Sequence, residues 1–322
     1  MSEASRHPAL VEFDEDQLRI TVQRAELAAR IDRYAGHDGT HATVVPQLSL
    51  IKATRVDQPV HVLHRAAVCI VVQGSKWVLL NNELCVYDAA TCLVVSHDLP
   101  LTGQVIAASP DVPYLALRLD LDLEEIAALS REIGDHPVAD HPVASRGIYA
   151  QEAGAMLLGS VLRLVKLIES PADAAVLAPL VTREIFYRLL TSSAGGGLRQ
   201  MARMDSVGRR VARAIAWVRE RRDRPILLSD MARDLRMGVS SLRRHFKAVT
   251  AMTPMQYQSR LRLQEARRIL LIDGVDAAQA GRRVGYQSTA RFAREYGCLF
   301  GSAPARDAKH LRERQLTAGS AA

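Results

Sequence analysis

Two stretches fifty residues apart carry arginines in a pattern suited to reading base edges. The first runs SSLRRHFKAVTAMTP from Ser240 to Pro254, and the second runs ARFAREYGCLFGSAP from Ala290 to Pro304. Leu242 aligns with Phe292, Arg244 with Arg294, Phe246 with Tyr296, Val249 with Leu299 and Pro254 with Pro304. Apolar residues at i and i+4, followed by i+7, define one buried helix face. Arg243 and Arg244 in the first copy, and Arg291 and Arg294 in the second, fall off that face. A planar guanidinium can bond guanine O6 and N7 together in the major groove of B-DNA, so each copy predicts a helix with an apolar underside and a base-reading upper side.

The elements needed to present such helices are legible around them. LSDMARDLRM precedes the first copy, with Ser229 expected as N-cap and Gly238 at the turn; DAAQAGRRV precedes the second and ends at Gly285-Tyr286. Helix, tight turn and second helix is the helix-turn-helix pattern. Two such units can enter successive major grooves only if a spacer holds them apart across the ~34 Å groove repeat. The helical stretch 255–272 (MQYQSRLRLQEARRILLI) is placed to be that spacer. Charge supports the reading: residues 205–322 carry a net +13 and residues 1–204 a net −6, within a total of +7. A basic segment joined to a mildly acidic one suits a nucleic-acid binder with a sensor or partner domain. The alternative is a basic helical bundle with a solvated face.

Other constellations carry less. Cys69, Cys85, Cys92 and Cys298 are widely spaced and form no CxxC. The first three lie in β-like segments, as small buried hydrophobes or as a thiol sensor that meets an oxidant or electrophile. His61 and His64 stand three apart, which on a strand turns them to opposite faces, so no metal site is expected. His136 and His141 each precede a proline in the duplicated HPV and read as loop residues. There is no G-x-S-x-G, phosphate-binding loop, dinucleotide fingerprint or HExxH. An enzyme is the weaker class, with a metal-free catalytic barrel as its strongest version. Neither a signal peptide nor a membrane-length apolar run is seen, so the chain reads as cytoplasmic.

Upstream of the basic segment, residues 17–34 have helical spacing, and from about 40 to 120 short β-branched runs alternate with turns such as Gly74 and Asn81-Asn82, predicting a small β-barrel or sandwich. Helices are expected at 123–133, 147–169 and 173–191, the last two split at Ser170-Pro171. Leu162, Leu164, Val165 and Ile168 form an apolar side wide enough to pack on a partner, whether within the chain or in a second copy. SSAGGG at 192–197 reads as a flexible linker.

SSLRRHFKAVTAMTPMQYQSRLRLQEARRILL and VGYQSTARFAREYGCLFGSAPARD resemble the DNA-binding domain of the AraC/XylS family. CIVVQGSKWVLL, LCVYDAATCLVVSHDLPLTGQV, ASPDVPYLALRLDLD and LRLVKLIESPADAAVLAPLVTREIFYRLL resemble the AraC-type N-terminal domain, which is cupin-like. The resemblance implies an α+β chain with a cupin-like β-barrel and helical extension, followed by an all-α domain with two helix-turn-helix units. The expected division is 1–192 for the regulatory domain (barrel about 40–120, helices about 122–192), 193–204 for the linker, 205–315 for the DNA-binding domain and 316–322 for a disordered tail.

By the same resemblance, Ser240, Arg243 and Arg244 face bases or phosphates in the first unit, and Thr289, Ala290, Arg291 and Arg294 in the second. Leu242, Phe246, Phe292 and Tyr296 fall on the buried side. Expected partners are double-stranded DNA, RNA polymerase, an unidentified small-molecule effector and a second copy of the chain, with no membrane. A cupin barrel raises the question of a metal, but no HxH followed by a nearby glutamate occurs, so a metal-free barrel with no cofactor is expected. Gly238 stands where the family usually has a serine N-cap, Ala251 where it has glycine, Gly281 within the usual Ile-Ala region, and Ala290 where a polar residue is common. A glycine inside a helix costs ~1 kcal/mol relative to alanine, so the second unit is expected to be the less rigid one.

Overall fold

A computed structural model describes residues 14–134, 146–192, 195–202 and 207–319. His136 and His141 lie outside these residues, as does 320–322 of the expected tail. The first helix, α1 (Glu15–Tyr34), starts at Asp14, whose carboxylate accepts the N–H groups of Asp16 and Gln17. Nine strands follow: β1 (Gly39–Ala42), β2 (Leu48–Ala53), β3 (Val60–His64), β4 (Ala67–Gln73), β5 (Ser75–Leu80), β6 (Glu83–Asp88), β7 (Thr91–Val95), β8 (Leu99–Ala107) and β9 (Tyr114–Asp120). With β10 (Ile148–Glu152) they build two antiparallel sheets, ordered β1-β2-β9-β4-β7-β10 and β3-β8-β5-β6. Turn chemistry matches the sequence: Gly74 takes φ +80° between β4 and β5, and Asn81 takes φ +55° between β5 and β6.

The six-stranded sheet is buried on both faces, which explains why β4 reads AVCIVVQ without polar alternation. One face, with Val68, Ile70, Cys92 and Val94, packs on α1, α2 (Leu123–Ile133), α3 (Ala155–Lys166) and α4 (Pro171–Thr191). Leu162, Leu164, Val165 and Ile168 therefore find their partner within the chain. The other face, with Cys69, Val71 and Tyr114, meets Val78, Leu80 and Tyr87 of the smaller sheet to form the barrel interior.

Several local expectations change. The helix expected from 147 starts only at Ala155, because Ile148–Glu152 pair with Val95–Thr91 and complete the edge of the large sheet beside β7. Within the stretch expected as linker, Gly196–Ala202 form a short helix, α5, with Leu198 and Ala202 buried in the core between the large sheet and the helices that cover it. The final helix, α12 (Pro304–Gly319), runs into the segment expected as tail.

The remaining helices are α6 (Val207–Glu220), α7 (Leu228–Asp234), α8 (Val239–Thr250), α9 (Pro254–Ile272), α10 (Ala277–Arg283) and α11 (Thr289–Phe300). Ser229 lies inside α7 rather than capping it; Leu227 occupies the N-cap with no side-chain bond. Gly238 is the N-cap of α8 in extended conformation, and the left-handed residue of that turn is Arg236 at φ +53°. Helices α8 and α11 each end on a left-handed residue, Ala251 at φ +57° and Gly301 at φ +73°. An L side chain in that region costs roughly 1–2 kcal/mol. Ala251→Gly should therefore stabilise the protein by ~0.5–1 kcal/mol in urea unfolding, after allowing for the added freedom of the unfolded chain; a loss of stability would show that the backbone at 251 is not strained.

Candidate nucleic-acid interface

Helix α8 buries Leu242, Phe246 and Val249 and exposes Ser240, Arg243, Arg244 and Lys247. Helix α11 buries Phe292 and Tyr296 and exposes Thr289, Ala290, Arg291 and Arg294. The exposed sets contain every site residue expected from the sequence in these helices. Lys247 was not singled out, although its place one turn after Arg243 puts it on the same face.

The arginines are not equivalent. The side chains of Arg243 and Arg294 make no hydrogen bond or ion pair among the described residues. Arg291 is engaged: its Nε donates to Glu295 Oε1 at 2.8 Å, and Glu295 Oε2 accepts the hydroxyls of Tyr286 (2.7 Å) and Ser259 (2.8 Å). Those contacts hold the Glu295 carboxyl below its ordinary range and tie α11 to α9.

Helix α9 begins with a capping box between Thr253 and Gln256. Its 19 residues span about 28 Å at 1.5 Å per residue, close to the groove repeat. At its first half, Gln258 Nε2 donates to the carbonyls of Arg221 (3.0 Å) and Arg224 (2.7 Å), which fixes the turn after α6. At its second half, Arg267 makes a forked pair with Asp307 of α12 at 2.8 and 3.0 Å, and Asp307 also accepts the Tyr296 hydroxyl at 2.8 Å. Both units are thus bolted to one helix. In the second unit a Cβ on Gly281 would stand 3.0 Å from the Phe292 ring, so the glycine lets α10 lie against α11.

Residues 44–197 match the AraC-type transcriptional regulator N-terminus, and residues 231–310 match a helix-turn-helix domain. The chain belongs to the AraC family. It is 28% identical over 298 residues to a probable thc operon regulatory protein of Rhodococcus erythropolis, covering 89% of this chain and 81% of that one. It is 27% identical over 248 residues to the HTH-type transcriptional regulator ExsA of Pseudomonas aeruginosa, covering 73% and 85%. Its fold is that of Vibrio cholerae ToxT with an unsaturated fatty acid bound, at a TM-score of 0.52 and 10% identity over 80% of this chain and 93% of that one. An apo form of ToxT gives 0.53 and 9% over 81% and 96%. The protein is a DNA-binding transcription regulator, and no helix among its described residues is long and apolar enough to cross a membrane.

In this AraC-family chain the barrel docks directly on the first helix-turn-helix unit. One apolar cluster includes Val71, Leu99 and Ile148 of the barrel and Val211, Ile215, Phe246 and Tyr257 of the helical domain. Polar ties surround it: Arg219 pairs with Asp98, the Tyr257 hydroxyl donates to the Asp98 carbonyl at 2.7 Å, and His97 Nε2 lies 3.2 Å from the Gly208 carbonyl oxygen. The second unit touches the barrel where the His61 ring meets Phe300 edge-on at 4.9 Å.

Inside the barrel, Cys69 and Arg118 are cross-strand partners, and Cys69 Sγ lies 3.5 Å from His64 Nε2. Arg118 pairs with Asp120 at 2.7 Å, yet its Nε is buried without a hydrogen-bond partner. Burial lowers the Lys76 ammonium, which the Cys69 thiol faces. Burial also pushes the Cys69 thiol up to about 11 and the Cys92 thiol up to about 12, and raises Cys85, which is the opposite of an activated thiolate. Cys92 lies on the other face of the sheet, beneath the helices. His61 and His64 point to opposite faces as expected; no group of three metal-binding side chains occurs among the described residues.

Burial drives His61 and His64 down to about 4, with Arg267 and Arg260 adding to the effect at His61 and Arg118 at His64. Their folded forms stay neutral while the unfolded chain takes up protons near pH 6.5, so stability is full above that pH and is lost as pH falls toward 4. The melting temperature should decline across that window, and His61→Gln should flatten part of the decline in matched thermal scans; parallel curves would show that His61 does not contribute.

Proposed function

We propose that the two units read adjacent major grooves and that a small molecule in the barrel controls them. In this reading Ser240, Arg243 and Arg244, together with Thr289, Ala290, Arg291 and Arg294, contact bases or phosphates. The observation that carries it is the exposure of two arginine-bearing helices on opposite halves of one clamped spacer. The regulator acts in the cytoplasm without catalysis of its own, on double-stranded DNA, with RNA polymerase and a second copy of the chain as further partners. Binding should be measured by fluorescence anisotropy on the duplex upstream of its own gene against a scrambled duplex. Arg243→Ala should cost about 1–3 kcal/mol on the true site and relax preference at one base position. Arg294→Ala should cost more than Arg291→Ala, because Arg291 must first leave Glu295. Equal binding of wild type and all three variants to both duplexes would overturn the reading.

The effector we assign to the barrel is an anion. Lys76 and the unpartnered Nε of Arg118 face the same interior, and burial of cationic donors without acceptors is costly unless an acceptor arrives. ToxT, which shares the fold, has been solved with an unsaturated fatty acid, itself a carboxylic acid. In thermal-shift titrations with aliphatic and aromatic monocarboxylic acids, at least one should stabilise the wild type and fail to stabilise Lys76→Met. Stabilisation by neutral or cationic compounds alone would overturn the assignment.

A further inference from the structure

The groove beside the first reading helix is built by both domains. Ser240, Arg243, Arg244 and Lys247 of α8 form one wall; Glu83 of β6 and Arg146, just before β10, stand on the other. The position of Arg146 is fixed by its neighbour. Gly147 donates its N–H to the Val249 carbonyl in the last turn of α8 at 2.9 Å, and the Gly147 carbonyl accepts the Ser96 N–H at 2.9 Å and its hydroxyl at 3.2 Å. A Cβ at Gly147 would stand 2.7 Å from the Val249 carbonyl oxygen and 2.8 Å from Leu99 Cδ1, so only glycine permits the approach. A second tie holds the β5–β6 hairpin to the same helix end, where Asn81 Nδ2 donates to the Ala251 carbonyl at 3.3 Å.

The charges are unbalanced: Arg146, Arg243, Arg244 and Lys247 share the groove with the single carboxylate of Glu83. Arg146 pairs with Glu83 at 3.3 Å, but its side chain is 56% exposed. Pairs that open to water contribute ~0–1 kcal/mol and are readily exchanged. A helix seated in the major groove has sugar-phosphate backbone along its flanks, so a cation beside the helix meets phosphate rather than base edges.

We propose that Arg146 contacts a DNA phosphate alongside α8, so that the regulatory domain supplies part of the DNA-binding surface, and that Glu83 is the counter-charge it leaves. This rests on α8 being a helix that enters the groove, and the test separates the two claims. The full-length protein is titrated on the duplex upstream of its own gene and on a random-sequence duplex of equal length, over a range of salt. Arg146→Ala should weaken both equally and reduce the slope of log affinity against log salt by about 0.9, the value of one phosphate contact. Arg146→Lys should restore the slope, which a purely structural role would not require. Arg243→Ala should weaken the upstream duplex preferentially. An unchanged slope in Arg146→Ala, with Arg243→Ala still harmful, overturns the phosphate contact alone. Tighter binding by Arg146→Ala overturns it too, since the barrel would then stand in the path of the duplex. No effect of Arg243→Ala on either duplex removes α8 from the groove and overturns both claims.

Discussion

Asp98 joins the two domains through a single residue. Its carboxylate accepts the Ala66 N–H at 3.0 Å, which sets the entry of β4, and pairs with Arg219 of α6. Its backbone carbonyl accepts the hydroxyl of Tyr257, a fully buried ring that meets Phe246 edge-on at 5.5 Å. The residue that shapes one end of the barrel therefore also positions α6, α9 and, through Phe246, the underside of α8. Removing it would leave a backbone N–H and a guanidinium without partners where solvent only partly reaches, and such orphaned donors cost more than the bond itself contributes. A conformational change at Asp98 cannot stay within one domain.

A second clamp acts in series with the first. Gln258 grips the turn after α6, and Arg267 grips α12, so α9 carries the first unit at one end and the second at the other. Rigidity is what the reading of two grooves requires, because the spacing of the two helices must be set before the duplex arrives. The Glu295 carboxylate has a double role: it ties α11 to α9 through Ser259 and engages the exposed Arg291 guanidinium. This arrangement makes Arg294 the freer of the two arginines, a distinction that side-chain type alone does not contain.

The repeat was legible because it is periodic. Leu242, Phe246, Phe292 and Tyr296 recur at helical spacing, and the same spacing puts the arginines off that face on the exposed side. The misread positions share a cause. Ile148–Glu152 carry both helical and strand-compatible apolar spacing, and pairing with β7 decides between them. Gly196–Ala202 look like a linker by composition, yet Leu198 is drawn into a core that only the fold creates. Ser229 has the chemistry of a cap but lies one residue inside its helix. Arg146 and Glu83 were invisible because no local pattern links them; they meet α8 through the hydrogen bonds from Gly147 to Val249 and from Asn81 to Ala251.

The same connectivity constrains how a signal can travel. Cys69, Val71, Val78 and Tyr114 line the barrel, and the cluster they belong to continues into Val211, Ile215 and Phe246 of the first unit. Close-packed cores transmit volume changes instead of absorbing them. A molecule entering the barrel must therefore either fit the docked arrangement or work against it, and it shifts the protein only by the difference between those two affinities. Linkage is reciprocal: if the docked form is the one that presents Arg146 and α8 on one surface, DNA that uses both must raise or lower effector affinity by the same factor. The composite groove makes the domain interface, rather than the linker, the element whose equilibrium both ligands bias.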